Sequence, residues 1–165
     1  MTLLVLLFWL LVGGTLQGVM PAWRHMGQPA FPILLGVVIY AATNKKFGYF
    51  LLAALIAGVL EDSLSLVPLG SSVAAFLVAG WLALRLRTHF FADKVSHAAW
   101  FGALSAATAT GTMALLLRWQ GLLALPLRDA LWRMAGSAVL GLVVMPVLFA
   151  LMRGLERRLG TWEGA

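Results

Sequence analysis

FGYFLLAALIAGVLEDSLSLVPLGSS, residues 47–72, decides how this chain folds. Positions 47–60 carry no charge, and the run ends at Glu61 and Asp62, the only acidic residues in the first ninety-two positions. Charge near a bilayer is tolerated mainly where it pairs, faces a protein interior or reaches water. If a helix enters hydrocarbon at Phe47, Asp62 lies about 22 Å along it in a core of about 30 Å. Gly58 and Ala54 stand four and eight residues before Asp62, and Ala57 and Ala53 stand likewise before Glu61. The acids therefore cap two rows of small residues on a face suited to close helix contact. Beyond them Pro68 has no amide to donate and disfavours helix at Val67, so the chain must break and turn. Gly70 supplies whatever unusual dihedral the turn needs, and Ser71 or Ser72 is expected to cap the next helix. Irregular backbone at this depth must be buried in protein or line a wet cavity.

Composition sets the surroundings of this stretch. The 165 residues are 62% hydrophobic and only 11% charged. The mean hydropathy of +0.94 excludes an ordinary soluble domain. The net charge of +6 comes from scattered Lys and Arg between apolar segments, so a nucleic-acid surface is not expected. Seven Trp and nine Phe suit membrane helices, where rings fill gaps and sit at headgroup level, and they call for no cofactor. There is no Cys, which removes disulfides and thiolate chemistry, and His25, His89 and His97 lack the spacing of metal ligands.

Six apolar segments, about 3–20, 27–43, 47–63, 67–84, 96–117 and 134–152, predict an all-α membrane protein, a single domain built as a bundle of six transmembrane helices. Several runs fall short of the roughly 20 residues a span needs, so tilt or bilayer thinning must make up the difference. Four spans with re-entrant pieces are the alternative; barrel strands would alternate, whereas these runs are continuously apolar. The first run has no basic leader and no convincing cleavage site, and is read as a retained span. With the N-terminus inside, the inner segments hold Lys45, Lys46, Arg85, Arg87, Lys94, Arg153, Arg157 and Arg158. The outer ones hold Arg24, Arg118, Arg128 and Arg133. The excess predicts both termini in the cytoplasm and the acidic pair toward the outside.

Small residues mark the packing surfaces. Ala99, Ala103, Ala107 and Gly111 repeat every four positions in the fifth segment, with Ala98, Gly102, Ala106, Thr110 and Ala114 in a second row beside them. Close backbone approach between such rows supplies much of helix attraction in lipid. Ala75, Ala79 and Ala83 in the fourth segment, and Gly14 and Gly18 in the first, offer the same. The tail 153–165 places Leu151, Leu155 and Leu159 on one stripe with Arg157 and Arg158 off it, as an interfacial extension anchored to anionic lipid would.

For the acidic pair three roles compete: a structural device that accepts turn amides or pairs with an Arg of the last outer loop, a partner or ligand contact, and catalysis. Adjacent helical residues point about 100° apart, a poor arrangement for two groups acting on one bond. No phosphate-binding loop, zinc-protease motif or nucleophile elbow accompanies them, so no enzyme is expected.

The stretch from Pro32 and Tyr40 through Gly58-Val-Leu-Glu61-Asp62 to Ser65-Leu-Val-Pro68-Leu-Gly70, closed by Arg85-Leu-Arg87, resembles the MreD family of bacterial rod shape-determining membrane proteins. That family has a Gly four residues before an Asp, a Ser-rich Pro-Leu-Gly turn and a following span ended by basic residues. The final span, Met145-Pro146 to Arg153, is similar to the family's Pro-containing last helix and basic tail. The resemblance implies a non-enzymatic inner-membrane component of the elongation machinery, with MreC as principal partner and MreB, RodA and its transpeptidase in the same complex. It implies a fold similar to the six-helix substrate-binding subunits of energy-coupling-factor vitamin transporters, and such a subunit is the alternative function. Gly58, Glu61, Asp62, Pro68 and Gly70 would form the structural or partner contact, with Arg85, Arg87, Arg153, Arg157 and Arg158 as the basic anchor.

Overall fold

A computed structural model describes residues 2–19, 31–65, 67–86, 95–122 and 126–158. Arg24, His25, Arg87, His89, Lys94 and Leu159 lie outside the described residues. Those described form six helices and no strand: α1 (Thr2–Val19), α2 (Ile33–Asn44), α3 (Phe47–Ser65), α4 (Ser71–Leu86), α5 (Val95–Trp119) and α6 (Leu127–Arg158). Three stretches, Phe47–Ser65, His97–Trp119 and Arg128–Arg158, are long and apolar enough to cross a membrane. Leu3–Val19, Ile33–Asn44 and Ser71–Leu86 are shorter apolar helices.

The short α2 is the axis of the molecule. It packs against each of the other helices, while α1, α3, α4, α5 and α6 follow one another around it. All ten residues from Ile33 to Ala42 are buried, so α2 has no outward face. Twelve residues span only about 18 Å, and that length is admissible where the chain at either end is wrapped in protein rather than lipid. The outer helices expose their large side chains instead: Phe8 and Leu11 on α1, Leu55 on α3, Trp100 on α5 and Val143 on α6 all face outward. Contiguous exposed apolar surface of this extent is compatible with a membrane environment.

Helix ends differ from the sequence expectation where loops turn out to be helical or turns to be longer. The last helix begins at Leu127 and ends at Arg158, well beyond 134–152, because its polar flanks continue the helix on both sides. Thirty-two residues make a rod of about 48 Å, longer than the hydrocarbon core alone requires. The fourth helix starts at Ser71, not 67, since Val67 and Pro68 lie outside the helix, ahead of the turn.

Between α5 and α6 the second small-residue row makes the closest approach. Gly102 and Gly141 face each other so tightly that a Cβ on either would fall on the other's carbonyl oxygen. Ala106 is buried beside them, and Thr110 donates to the Ser137 hydroxyl at 2.8 Å. Ala99, Ala103 and Ala107 stay half-buried, and Gly111 of that row meets only the Met134 side chain. In α4, Ala75, Ala79 and Ala83 are buried, and Gly80 is the seat of the Phe50 ring.

Candidate functional site

Two adjacent carboxylates on α3 serve two different neighbours. The roughly 100° between successive helical residues turns Asp62 toward α4 and Glu61 toward α1. Asp62 is 1% exposed, and its Oδ2 accepts the Gly70 amide at 2.6 Å while its Oδ1 accepts the Ser72 amide at 2.9 Å. These are amides of the turn and of the first turn of α4, which the helix itself cannot satisfy. A carboxylate there also meets the positive end of the helix dipole. Asp62 is thus the cap of α4, reaching it from another helix. The expected hydroxyl caps are displaced: Ser71 is buried with its Oγ lacking a partner among the described residues.

Packing fixes the approach that makes this possible. Gly58, one helical turn before Asp62, lies against the backbone of Val73, where an added Cβ would stand 2.5 Å from the Val73 Cα. Ala53, Ala54, Ala57 and Gly58 are all buried, so both small-residue rows face protein. The turn is closed by the Ser71 amide donating to the Pro68 carbonyl at 3.2 Å, and Gly70 adopts φ +100°, the left-handed region open to glycine. Between them Leu69 is 76% exposed at the tip of the turn, flanked by exposed Pro68 and Gly70.

Glu61 is tied in the other direction. Gln17 of α1 donates its Nε2 to Glu61 Oε2, and Ser65 donates weakly to Oε1 at 3.4 Å. The Gln17 Oε1 in turn accepts the Leu34 amide at 3.1 Å, one of the unsatisfied donors in the first turn of α2. Gln17 therefore caps α2 as Asp62 caps α4, and Glu61 holds the Gln17 amide in the orientation that lets its oxygen do so. Among the described residues no arginine takes part in holding Asp62.

Glu61 and Gln17 line a cavity of about 440 Å³ to which all six helices contribute, at the end where α1, α3 and α5 finish and α2, α4 and α6 begin. Arg133 and Ser137 of α6 and Thr110 of α5 lie on its wall, with apolar groups such as Leu35, Phe76 and Met113 between. Arg133, one of the cations assigned to the last outer loop, is therefore a helical residue of the cavity wall.

At the opposite end stands a second buried cluster that sequence reading missed. Glu156 is 3% exposed, forms an ion pair with Lys45 at 3.0 Å and accepts the Tyr40 hydroxyl at 2.8 Å. The Tyr40 ring packs edge-on against Phe149 at 5.2 Å. Through 158 the tail is thus stitched to α2 and the α2–α3 connection, and its first part is not a free anchor. Of the basic residues expected there, Arg157 and Arg158 are exposed, Arg153 is half-buried, and Arg85 stacks over Trp81 at 5.0 Å.

Compared with known proteins, the chain matches no family model, no curated protein and no solved structure.

Proposed function

We propose that this protein is a non-enzymatic component of the bacterial cell-elongation machinery, of the MreD kind, that helps set rod shape by linking MreC and the MreB filament to peptidoglycan synthesis. In this reading all six helices span the inner membrane, both termini are cytoplasmic, and the Asp62 turn faces the periplasm. The observation that carries it is the turn itself. Asp62 and Gly58 fasten Pro68-Leu69-Gly70 to α3, and Leu69 projects from a loop whose backbone is held at both ends. A rigid exposed apolar tip binds a partner without the ordering cost that a loose loop would incur. The sequence pattern from Gly58 to Gly70 that resembles the MreD family coincides with this fastening.

Co-purification with MreC, alongside cell morphology, tests the proposal. Leu69→Asp leaves every fastening contact in place and is expected to abolish MreC retention and rod shape while the protein stays folded in the membrane. Full retention of MreC by Leu69→Asp, together with normal rods, removes the turn as the contact.

The cavity favours a second reading, a substrate-binding subunit of a small-molecule transporter. Its volume falls within the roughly 300–1,000 Å³ of ligand pockets, and convergent polar groups line it. Mass spectrometry of the purified protein separates the two: a transporter subunit carries its soluble substrate, and a scaffold does not.

A further inference from the structure

The cavity presents two walls of opposite character. On the α1 and α3 side stand the Glu61 carboxylate, the Gln17 amide and the Ser65 hydroxyl; on the α5 and α6 side stand the Arg133 guanidinium and the Thr110 and Ser137 hydroxyls. Among the described lining residues Glu61 is the only carboxylate and Arg133 the only cation. Among the described residues the groups that donate to Glu61 are Gln17 and Ser65, both neutral, so they hold the carboxylate without balancing its charge. Ser137 follows Arg133 by one helical turn, which sets both on the same face of α6. Apolar residues fill the rest of the wall, so an ion inside is poorly hydrated and is held best by an opposite charge with hydrogen bonds.

We infer that this cavity binds a zwitterionic group of the phosphoethanolamine kind, its ammonium against Glu61 and its phosphate against Arg133. A lone cation or a lone anion would satisfy one wall and meet like charge on the other. A planar guanidinium presents a fork of donors that fits phosphate oxygens, and a carboxylate accepts from an ammonium with no rearrangement of the Gln17 bridge. The inference rests on neither reading of the protein's function. The same chemistry occurs on a membrane phospholipid and on a soluble phosphoamine, and the experiment separates these sources.

The full chain, purified in a maltoside detergent, is titrated by native mass spectrometry. The ligands are dioctanoyl phosphatidylethanolamine, dioctanoyl phosphatidylglycerol and free phosphoethanolamine. One charge-assisted hydrogen bond is worth about 1.5–3 kcal/mol, so the ethanolamine lipid is expected to bind at least about tenfold tighter than the glycerol lipid. Glu61→Gln is expected to erase that preference. Arg133→Gln is expected to weaken both lipids and leave the preference intact, and it serves as a second reading should Glu61→Gln fail to fold, as judged by gel filtration and thermal melting. Binding of free phosphoethanolamine as tight as that of the lipid supports the chemistry with a soluble source, and preference confined to the chain-bearing form supports it with a lipid source. Equal binding of the two lipids by the wild-type chain, or an undiminished preference in folded Glu61→Gln, overturns the inference.

Discussion

Asp62 and Gly58 act as one device, and single substitutions separate their contributions. Asp62→Ala removes the acceptor of two amides, that of Ser72 buried and that of Gly70 part-buried, and is expected to cost about 3 kcal/mol, the penalty of leaving charge-assisted hydrogen bonds unmade. Asp62→Asn offers one carbonyl oxygen and turns an NH2 toward the other amide, so it recovers only part of that loss. Unfolding titrations in detergent micelles check both. Gly58→Leu forces a side chain into the Val73 backbone, which cannot yield as a side chain would, and is expected to cost about 3 kcal/mol or more. Gly48, with nothing within 4 Å of an added Cβ, is the internal control: Gly48→Ala is expected to change stability by no more than about 0.5 kcal/mol. A comparable loss at both glycines would show that helix propensity, rather than the close approach to Val73, sets the sensitivity. The acidic pair, the small residues behind it and Pro68 were legible in the sequence because their meaning is local: each constrains its own turn of chain. Gln17 was not, since a single amide in an apolar run acquires its meaning only when the first turn of α2 and Glu61 are brought to it.

At the scale of elements, α2 and α6 are locked at the basic end by charge buried in an otherwise apolar molecule. Lys45 and Glu156 are only 6% and 4% exposed in their side chains. Removing one member of a buried ion pair costs about 3–5 kcal/mol, whereas replacing both with apolar residues is often close to neutral. Lys45→Met and Glu156→Met are therefore each expected to destabilise strongly, and the double variant to lie nearer the wild type than either. It retains a deficit of about 1–3 kcal/mol from the stranded Tyr40 hydroxyl, which Tyr40→Phe in the same background should relieve. A denaturation cycle over the single, double and triple variants measures this, and additive losses would mean that the pair is not coupled. The Tyr40–Glu156 bond joins residues 116 positions apart, and no local pattern announces it. Basic residues around Glu156 made the tail read as a lipid anchor because the sequence shows charge without showing which charge is buried. Small-residue rows were visible in α5, but two such rows lie side by side, and the choice between them depends on Gly141 of the partner helix.

For the whole molecule, the cavity and the Asp62 turn occupy one end, and Lys45, Arg85, Glu156, Arg157 and Arg158 the other. The expected polarity, with the second end cytoplasmic, rests on that end's excess of Lys and Arg over the Arg118, Arg128 and Arg133 of the first. Six apolar segments match six helices, yet within the described residues only three of them are long and apolar enough to cross on length and composition alone. Of the remaining three, α2 is buried at the centre and α1 and α4 pack against it, an arrangement that no window of hydropathy registers. Whether the polarity is set across a membrane is directly measurable because the chain has no Cys, so each introduced thiol reports alone. Leu69 at the turn, Lys46 before α3 and Arg158 at the end of α6 are exposed positions. Their Cys variants are expected to divide cleanly when cells are treated with a membrane-impermeant maleimide. Leu69→Cys should react in cells whose outer layers alone are permeabilised, and Lys46→Cys and Arg158→Cys only after the inner membrane is opened. The reverse pattern would invert the protein and place the basic end outside, against the charge bias. Equal labelling of Lys46→Cys and Leu69→Cys from one side would mean that α3, at 19 residues and about 28 Å, does not cross, and with it would go the periplasmic placement of the Asp62 turn.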